Sequence, residues 1–182
     1  LVHWAYEALR AWGRPGPAAA SQVRVGLAFL ATLGVWCAGS HEAAAHILEN
    51  PANLFLVDLA ANGRIAAPGA APLSQGREQG GSDAQTVEMQ IKALSCMCLG
   101  FCMIHYDEKR GDGSWTKQRI LDMIENKITI KMFTKVVNEF GESKELKTSY
   151  GPIFPTFYKK GSDAIRQQMI GLYTGEGGGG GE

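Results

Sequence analysis

The sequence predicts an all-α fold. Apolar residues recur at the three- and four-residue spacing of a helix face, most clearly at Ile130, Phe133, Val137 and Phe140. The stretches between such patterns are rich in Gly, Pro, Ser and Asn, which end helices or cap them. No segment alternates apolar and polar residues in the manner of a half-buried strand. With 182 residues, 45% of them hydrophobic, the chain is long enough to bury a sizeable core.

The first two predicted helices differ in character. Residues 2–12 have helical composition and are followed by Gly13-Arg14-Pro15-Gly16-Pro17, which a helix cannot cross. Between Gln22 and Cys37 nearly every residue is apolar. A helix that is apolar on all sides is typical of the middle of a core, so we expect the 22–37 helix to be buried all round.

Two shorter helices and a long loop are expected next. Ser40 is a suitable N-cap for a helix over 41–48. In Asn50-Pro51 a capping side chain precedes a residue with the φ of a first helical turn, which predicts a helix over 51–60. Residues 62–84 are rich in Gly, Ala, Pro and Ser and lack apolar periodicity, so we expect a surface insertion there.

A second long helix follows the insertion. The pattern Ser82-Asp83-Ala84-Gln85 fits a capping box and predicts a helix that runs to about Tyr106. A polar loop over 107–114 comes next, and then helices over 116–126 and 129–140.

The C-terminal part predicts a linker and one more helix. We expect the 129–140 helix to stop at Gly141 and a polar linker to cover 141–154. The last helix, over about 155–173, contains Gly161, where we expect a weak point or a break.

A faint internal repeat indicates how these helices are organised. An offset of 66 residues aligns Val25 with Ile91, Leu33-Gly34 with Leu99-Gly100, and Leu54-Phe55 with Ile120-Leu121. Without the insertion the offset is roughly 45 residues, close to the armadillo/HEAT period of about 40–47. The sequence therefore predicts an armadillo/HEAT-like helical repeat array, a fragment of an α-solenoid.

Charge and hydropathy exclude several classes of partner. The 18 Lys and Arg residues balance the 18 Asp and Glu residues, so the chain has no net charge with which to bind nucleic acid. The apolar runs Val25–Cys37 and Ala93–Ile104 are shorter than the roughly 20 residues of a transmembrane helix, so we expect no transmembrane segment. The chain begins with Leu1 and has no signal-peptide pattern, so we expect a fragment of a longer protein.

The cysteines are the most plausible centre of chemistry. Cys96, Cys98 and Cys102 lie on one predicted helix and suggest a thiol or metal site. Their spacing is not that of a zinc ribbon, and apolar residues surround them, so the sequence favours core packing. With Cys37 they lie in apolar runs, and no glycosylation sequon occurs, which favours a reduced, cytosolic setting.

No other pattern points to catalysis. The four histidines (His3, His41, His46 and His105) show no sequence relation to a nucleophile, and we expect His41 and His46 on the surface of a short helix. Arg110-Gly111-Asp112 spells an integrin-binding tripeptide, which we interpret as a polar turn. We therefore predict no enzymatic activity, no cofactor, and no catalytic, cofactor-binding or metal-binding residue.

From Val23 onward the sequence resembles the general vesicular transport factor family, the Uso-type tethers that dock transport vesicles at the Golgi. The resemblance begins at Val23-Arg24-Val25-Gly26-Leu27 and covers about 150 residues in order. Its further segments are Trp36, His46–Asn50, Ala52–Leu56, Leu94–Tyr106, Ile124–Ile128 with Phe133, and Phe157–Tyr173.

The resemblance implies a vesicle-tethering protein. It implies an armadillo-like head region, here only its C-terminal part, from a homodimer with a long coiled coil. It further implies ER-to-Golgi and intra-Golgi membrane transport, with Rab-family GTPases, Golgi matrix proteins (golgins) and SNAREs as partners. The location it implies is cytoplasmic, peripherally bound to Golgi and vesicle membranes.

The chain also departs from the family. The 62–84 insertion and the 107–115 loop are longer than the family's, residues 1–20 do not match it, and no sustained heptads occur. The predicted organisation is an unmatched segment (1–20), an armadillo-like unit (21–61), the insertion (62–84), a second unit (85–140), the linker (141–154), a C-terminal head helix (155–175) and a Gly-rich tail (176–182).

Three interpretations stay open. The first is a non-enzymatic tether, whose partner surface would rest on exposed aromatic anchors; Trp115, Trp4 and Trp12 are candidates. The second is a generic armadillo/HEAT scaffold unrelated to Golgi traffic. The third is a small helical thiol or metal protein that uses Cys96, Cys98 and Cys102. We expect the isolated fragment to be poorly soluble, because a truncated array exposes the face that missing repeats would cover.

Overall fold

The structure of the protein is a computed structural model that describes residues 17–49, 52–63, 82–111 and 113–174. Within these ranges the fold is all-helical, as the sequence predicts, and compatible with a helical repeat array. The helices are α1 (Pro17–Cys37), α2 (His41–Leu48), α3 (Ala52–Asn62), α4 (Ser82–His105), α5 (Lys117–Lys127), α6 (Ile130–Glu142), α7 (Lys144–Ser149) and α8 (Phe154–Thr174).

Most predicted helices lie close to their expected positions. Ser40 is the N-cap of α2, as predicted: its Oγ accepts a hydrogen bond from the backbone N–H of Ala43 at 3.1 Å. Thr116 performs the same role for α5 through the N–H of Arg119 at 3.0 Å. The predicted helix over 2–12, most of the predicted insertion and the Gly-rich tail lie outside the described residues.

Helix α4 is the centre of the core. It contacts α1, α2, α3, α5, α6 and α8, and its residues from Ile91 to Met103 are almost all buried. The large apolar content of α4 therefore matches its position, since every side of the helix meets another helix.

The three long helices α1, α4 and α8 pack against one another in that order. Gly34 of α1 lies against α4, with its ideal Cβ position 3.7 Å from Cys98 Sγ. Gly100 of α4 lies against α8, where a Cβ would be only 2.4 Å from Cδ1 of Ile165. The two glycines that the 66-residue offset aligns thus both face the next long helix of the stack.

The shorter helices lie against the long ones. Helices α2 and α3 both pack on α4, and α6 packs on α4 and on α8. Helix α5 contacts α4 and also contacts α3 and α6.

The segment predicted as a linker contains a short helix. Instead of ending at Gly141, α6 continues to Glu142, and α7 occupies 144–149. Ser143 begins α7 as its N-cap, with its Oγ accepting from the N–H of Leu146 at 3.2 Å. The side chain of Leu146 is buried, so α7 is attached to the core.

Gly161 does not interrupt the last helix. Helix α8 is continuous from Phe154 to Thr174. A Cβ on Gly161 would lie 2.4 Å from Cζ of Phe101 and 2.8 Å from Cε of Met97. The glycine therefore allows close packing of α8 on α4.

Helix α4 also changes the expectation about membrane spans. A 21-residue stretch of it, Gln85–His105, is long and apolar enough to cross a membrane by length and composition. The run is longer than the one considered from sequence because it extends toward the N-terminus of the helix. In the structure, 72% of the window that meets this criterion is buried by the surrounding protein, and core helices of soluble proteins meet the same criterion.

Candidate functional site

The most distinctive surface in the described part of the chain is an apolar face of α1. We call it the α1 stripe; its residues are Val25, Ala28, Phe29, Thr32, Val35 and Trp36. They lie at helical spacing on one side of α1, and all are exposed except Phe29, which is half-buried. The sequence predicts a helix buried all round; among the residues that the structure describes, one side of α1 packs on neighbouring helices and the other is exposed.

Trp36 is the most prominent side chain of the α1 stripe. It is 44% exposed, and its ring lies 6.4 Å from that of His46 on α2, measured between centroids. Val35 beside it is 49% exposed. Large aromatic residues of this kind are enriched among the residues that contribute most to binding at protein interfaces. The sequence signal for this surface is that Val35 and Trp36 lie on the same side of α1 as the polar residue Thr32.

The opposite end of the stack has a different surface. The exposed side of α8 carries Lys159, Lys160, Asp163, Arg166 and Gln167, and its large exposed hydrophobic residues are Ile170 and Tyr173. A polar outer face is the property of a terminal unit in a repeat array, while an apolar outer face is that of an internal unit. Among the described residues, the exposed side of α1 is therefore more apolar than that of α8.

Trp115, the predicted anchor in the described region, is a weaker candidate. Its ring is half-buried and packs on the core. The guanidinium carbon of Arg119 lies 5.0 Å from the ring centroid, in a cation–π contact. The structure thus gives Trp115 local packing partners, whereas Trp4 and Trp12 lie outside the described residues.

The loop after α4 is attached to the start of α2. The backbone N–H of Asp107 donates to His41 Nδ1 at 3.0 Å, and the His41 ring lies 5.4 Å from that of Tyr106. Arg110 Nη2 lies 2.8 Å from Oε1 of Glu42 in an exposed ion pair. The sequence predicts both His41 and His46 on the surface. In the structure His46 is exposed, as predicted, whereas His41 is half-buried.

These contacts define the environment of the Arg110-Gly111-Asp112 turn. The backbone N–H groups of Arg110 and Gly111 both donate to the carbonyl oxygen of Asp107. The side chain of Arg110 is directed to Glu42, which also receives a hydrogen bond from Ser40 Oγ. Asp112 lies outside the described residues; Arg110 and Gly111 are in a hydrogen-bonded turn.

The four cysteines are all buried and free. Cys98 Sγ lies 3.5 Å from the carbonyl oxygen of Leu30, to which it donates. Cys98 and Cys102 have Cys37 of α1 as a neighbour, while Cys96 is close to Tyr158 of α8. The three thiols of α4 therefore face two different helices.

Burial makes these thiols weak acids. It raises the pKa of Cys96, and it raises the pKa of Cys98 with a further contribution from neighbouring Cys37. The hydrogen bond with Cys37 is the main reason that the pKa of Cys102 is raised, and burial adds to it. Because the thiolate is the nucleophile and metal ligand, this environment suits packing better than catalysis.

Among the described residues, no group of three His, Cys, Asp or Glu side chains is placed to hold a metal ion. Within the described residues, the α1 stripe is therefore the strongest candidate site, because its exposed apolar surface is suited to bind another apolar surface.

Neither a family model nor a curated protein matches this chain.

Proposed function

We propose that the protein is a non-enzymatic vesicle tethering and docking factor in ER-to-Golgi and intra-Golgi membrane transport. It acts as a protein–protein interaction scaffold. The observation that carries the proposal is the ordered resemblance to the general vesicular transport factor family, from Val23 to Tyr173.

The fold supports the proposal in one respect. Five parts of the resemblance fall on helices in chain order: Val23–Leu27 on α1, Ala52–Leu56 on α3, Leu94–His105 on α4, the 124–133 segment across α5 and α6, and Phe157–Tyr173 on α8. A stack of helices offers a broad surface for partners without needing a pocket, which suits a scaffold.

The proposed partners are those of the family. They are a Rab-family GTPase, Golgi matrix proteins (golgins) and SNAREs. The proposed location of the protein is cytoplasmic, with peripheral association with Golgi and vesicle membranes. A homodimer that depends on a coiled coil belongs to the full-length form, since this chain has no sustained heptads.

Trp36 is the residue we expect to contact a partner. It is large, aromatic and 44% exposed, and Val35 extends the apolar surface around it. Truncation of an aromatic anchor at an interface typically costs about 2 kcal/mol or more, roughly a thirtyfold loss of affinity.

The test is recruitment of the purified chain to salt-washed Golgi membranes loaded with either a non-hydrolysable GTP analogue or GDP. We expect saturable recruitment that is stronger with the GTP analogue, because active Rab proteins carry GTP. Equal recruitment in both states, or none, would contradict the tether and leave a generic armadillo/HEAT scaffold.

Variants then locate the surface. Trp36→Ala should reduce recruitment by at least about tenfold, with unchanged helicity by circular dichroism. Ile153→Ala is the matched control, since Ile153 is apolar and 80% exposed but far along the chain, between α7 and α8. Trp115→Ala tests the anchor predicted from sequence; because Trp115 packs on the core, we expect it to affect stability before recruitment.

A further inference from the structure

The loop after α4 is attached to α2 by a hydrogen bond that requires an unprotonated histidine. His41 is the first residue of α2, and its Nδ1 accepts the backbone N–H of Asp107 at 3.0 Å. A ring nitrogen accepts a hydrogen bond only while it carries no proton. We propose that protonation of His41 releases residues 107–111 from α2, so that the attachment of this loop depends on pH. The proposal is independent of any role in vesicle transport.

Protonation turns the contact between His41 and Asp107 from attractive to repulsive. A protonated imidazole carries an N–H on both nitrogens, so the new Nδ1–H would point at the N–H of Asp107. The position of His41 adds to this effect, because a positive charge in the first turn of a helix opposes the helix dipole. Histidine is the side chain that ordinarily changes charge between about pH 5 and 8. The bond should therefore form at neutral and alkaline pH and be lost on mild acidification.

The second attachment of the loop to α2 is weak. Arg110 Nη2 lies 2.8 Å from Oε1 of Glu42, and both side chains are more than half exposed. Exposed ion pairs contribute little to stability. Glu42 also interacts with His41, so a positive charge on His41 competes with Arg110 for the same carboxylate. Protonation of His41 thus weakens this pair and breaks the bond to Asp107.

The other groups around His41 belong to the loop and to the residue that follows α4. The ring of His41 lies 5.4 Å from that of Tyr106, measured between centroids. The carboxylate of Asp107 accepts the N–H of Lys109 at 3.0 Å and is thereby engaged within the loop. Gly111 packs on the hydroxyl end of Tyr106, where a Cβ would overlap it. Release of the loop would therefore uncover Tyr106, which is 1% exposed in the structure.

Glu108 determines which part of the loop can move. Its Oε1 accepts the backbone N–H of Lys117, at the start of α5, at 2.7 Å. This contact does not involve α2, so it should persist when His41 is protonated. Residues 109–111 are therefore the part that we expect to become mobile.

NMR spectroscopy of the nitrogen-15-labelled chain tests the bond directly. An N–H···N hydrogen bond transmits a scalar coupling between its two nitrogens, so the backbone nitrogen of Asp107 should couple to Nδ1 of His41 at about pH 8. On acidification to about pH 5 we expect this coupling to disappear and the heteronuclear NOE of residues 109–111 to fall. A coupling that persists at the lower pH would overturn the proposal, as would a lost coupling with residues 109–111 still rigid.

His105 is a second histidine close to the loop and needs its own control. Its ring lies 6.1 Å from that of Phe101, and burial lowers its pKa, with a smaller effect of Lys117. The titration is therefore repeated with His105→Gln, in which we expect residues 109–111 to show the same response to pH. Loss of the response in this variant would assign it to His105 and reject the proposal.

Two variants on α2 complete the test. His41→Ala removes the acceptor at every pH, so residues 109–111 should be mobile even at about pH 8. His46→Gln is the matched control, because His46 is exposed on the same helix and its ring lies beside that of Trp36. It should keep the response of the unmodified chain. A rigid loop in His41→Ala, or a lost response in His46→Gln, would show that His41 does not control the loop.

Discussion

At the residue scale, the contact between α8 and α4 depends on Gly161. Replacement by Ala brings a gain of about 1 kcal/mol from helix propensity. It also places a Cβ 2.4 Å from the ring of Phe101, an overpacked contact that typically costs about 1–3 kcal/mol. We therefore expect Gly161→Ala to lower the free energy of unfolding, measured by urea denaturation.

Gly171 provides the control on the same helix. A Cβ at Gly171 would meet no other atom within 4 Å, so Gly171→Ala should stabilise the protein by up to about 1 kcal/mol. If both substitutions were stabilising, α8 would not be held tightly against α4 at Gly161.

The buried thiols lead to a second prediction for single residues. Cys96, Cys98 and Cys102 are buried and have raised pKa values, so they should resist an aromatic disulfide reagent at neutral pH. We expect them to react only at the rate of unfolding, and all at once in denaturant. Rapid reaction of one of them in the native protein would instead support the thiol-protein interpretation.

At the scale of secondary structure, α7 is the element whose role differs most from its prediction. Leu146 is 1% exposed, whereas Leu54 on α3 is 63% exposed. Leu146→Ala should therefore cost about 2–5 kcal/mol in the free energy of unfolding, and Leu54→Ala less than about 0.5 kcal/mol. Similar small losses for the two variants would indicate that 144–149 behaves as a linker.

The sequence predicts the positions of the helices better than it predicts the packing between them. Local signals sufficed for α2, since an N-cap such as Ser40 acts through backbone groups three residues away. They failed for α7, where a six-residue helix depends on one buried leucine supplied by the tertiary fold. Gly161 was predicted as a weak point because propensity carries no information about Phe101 on another helix.

The candidate surface shows the same limit. An apolar helix sequence predicts that α1 is buried but does not say which neighbours are present to bury it. The structure shows Val25 and Trp36 on the exposed side of α1. The α1 stripe is recognised because α1 has the composition of a fully buried helix but is exposed on one side.

At the scale of the whole molecule, the two ends of the stack have different surfaces. Among the described residues, the exposed side of α8 is mostly polar, whereas that of α1 is mostly apolar. We therefore expect the chain to self-associate through α1, and Trp36→Glu should reduce this association while Ile170→Glu should not. Sedimentation velocity over a range of concentrations measures this, and equal effects of the two variants would contradict the assignment.

The response of stability to pH also belongs to the whole molecule. Folding raises the pKa of Cys96, Cys98, Cys102 and Tyr158, so the folded protein keeps protons that the unfolded chain loses. The contribution of the thiols is complete below their unfolded pKa of about 8.5, and that of Tyr158 below its unfolded pKa of about 10; each is lost as pH rises above that value. Each thiol contributes up to about 1.4 kcal/mol of loss per pH unit.

The acid side has the opposite origin. Burial, with a smaller effect of Lys117, lowers the pKa of His105. Its contribution is therefore present above the unfolded value of about 6.5 and is lost as pH falls below it. Urea midpoints measured under reducing conditions from pH 5 to about 10 should form a plateau near pH 7–8 and fall more steeply on the alkaline side, where several groups titrate. Cys98→Ala should make the alkaline decline shallower by the share of one thiol, and an unchanged slope would mean that Cys98 ionises as readily in the folded protein as in the unfolded chain.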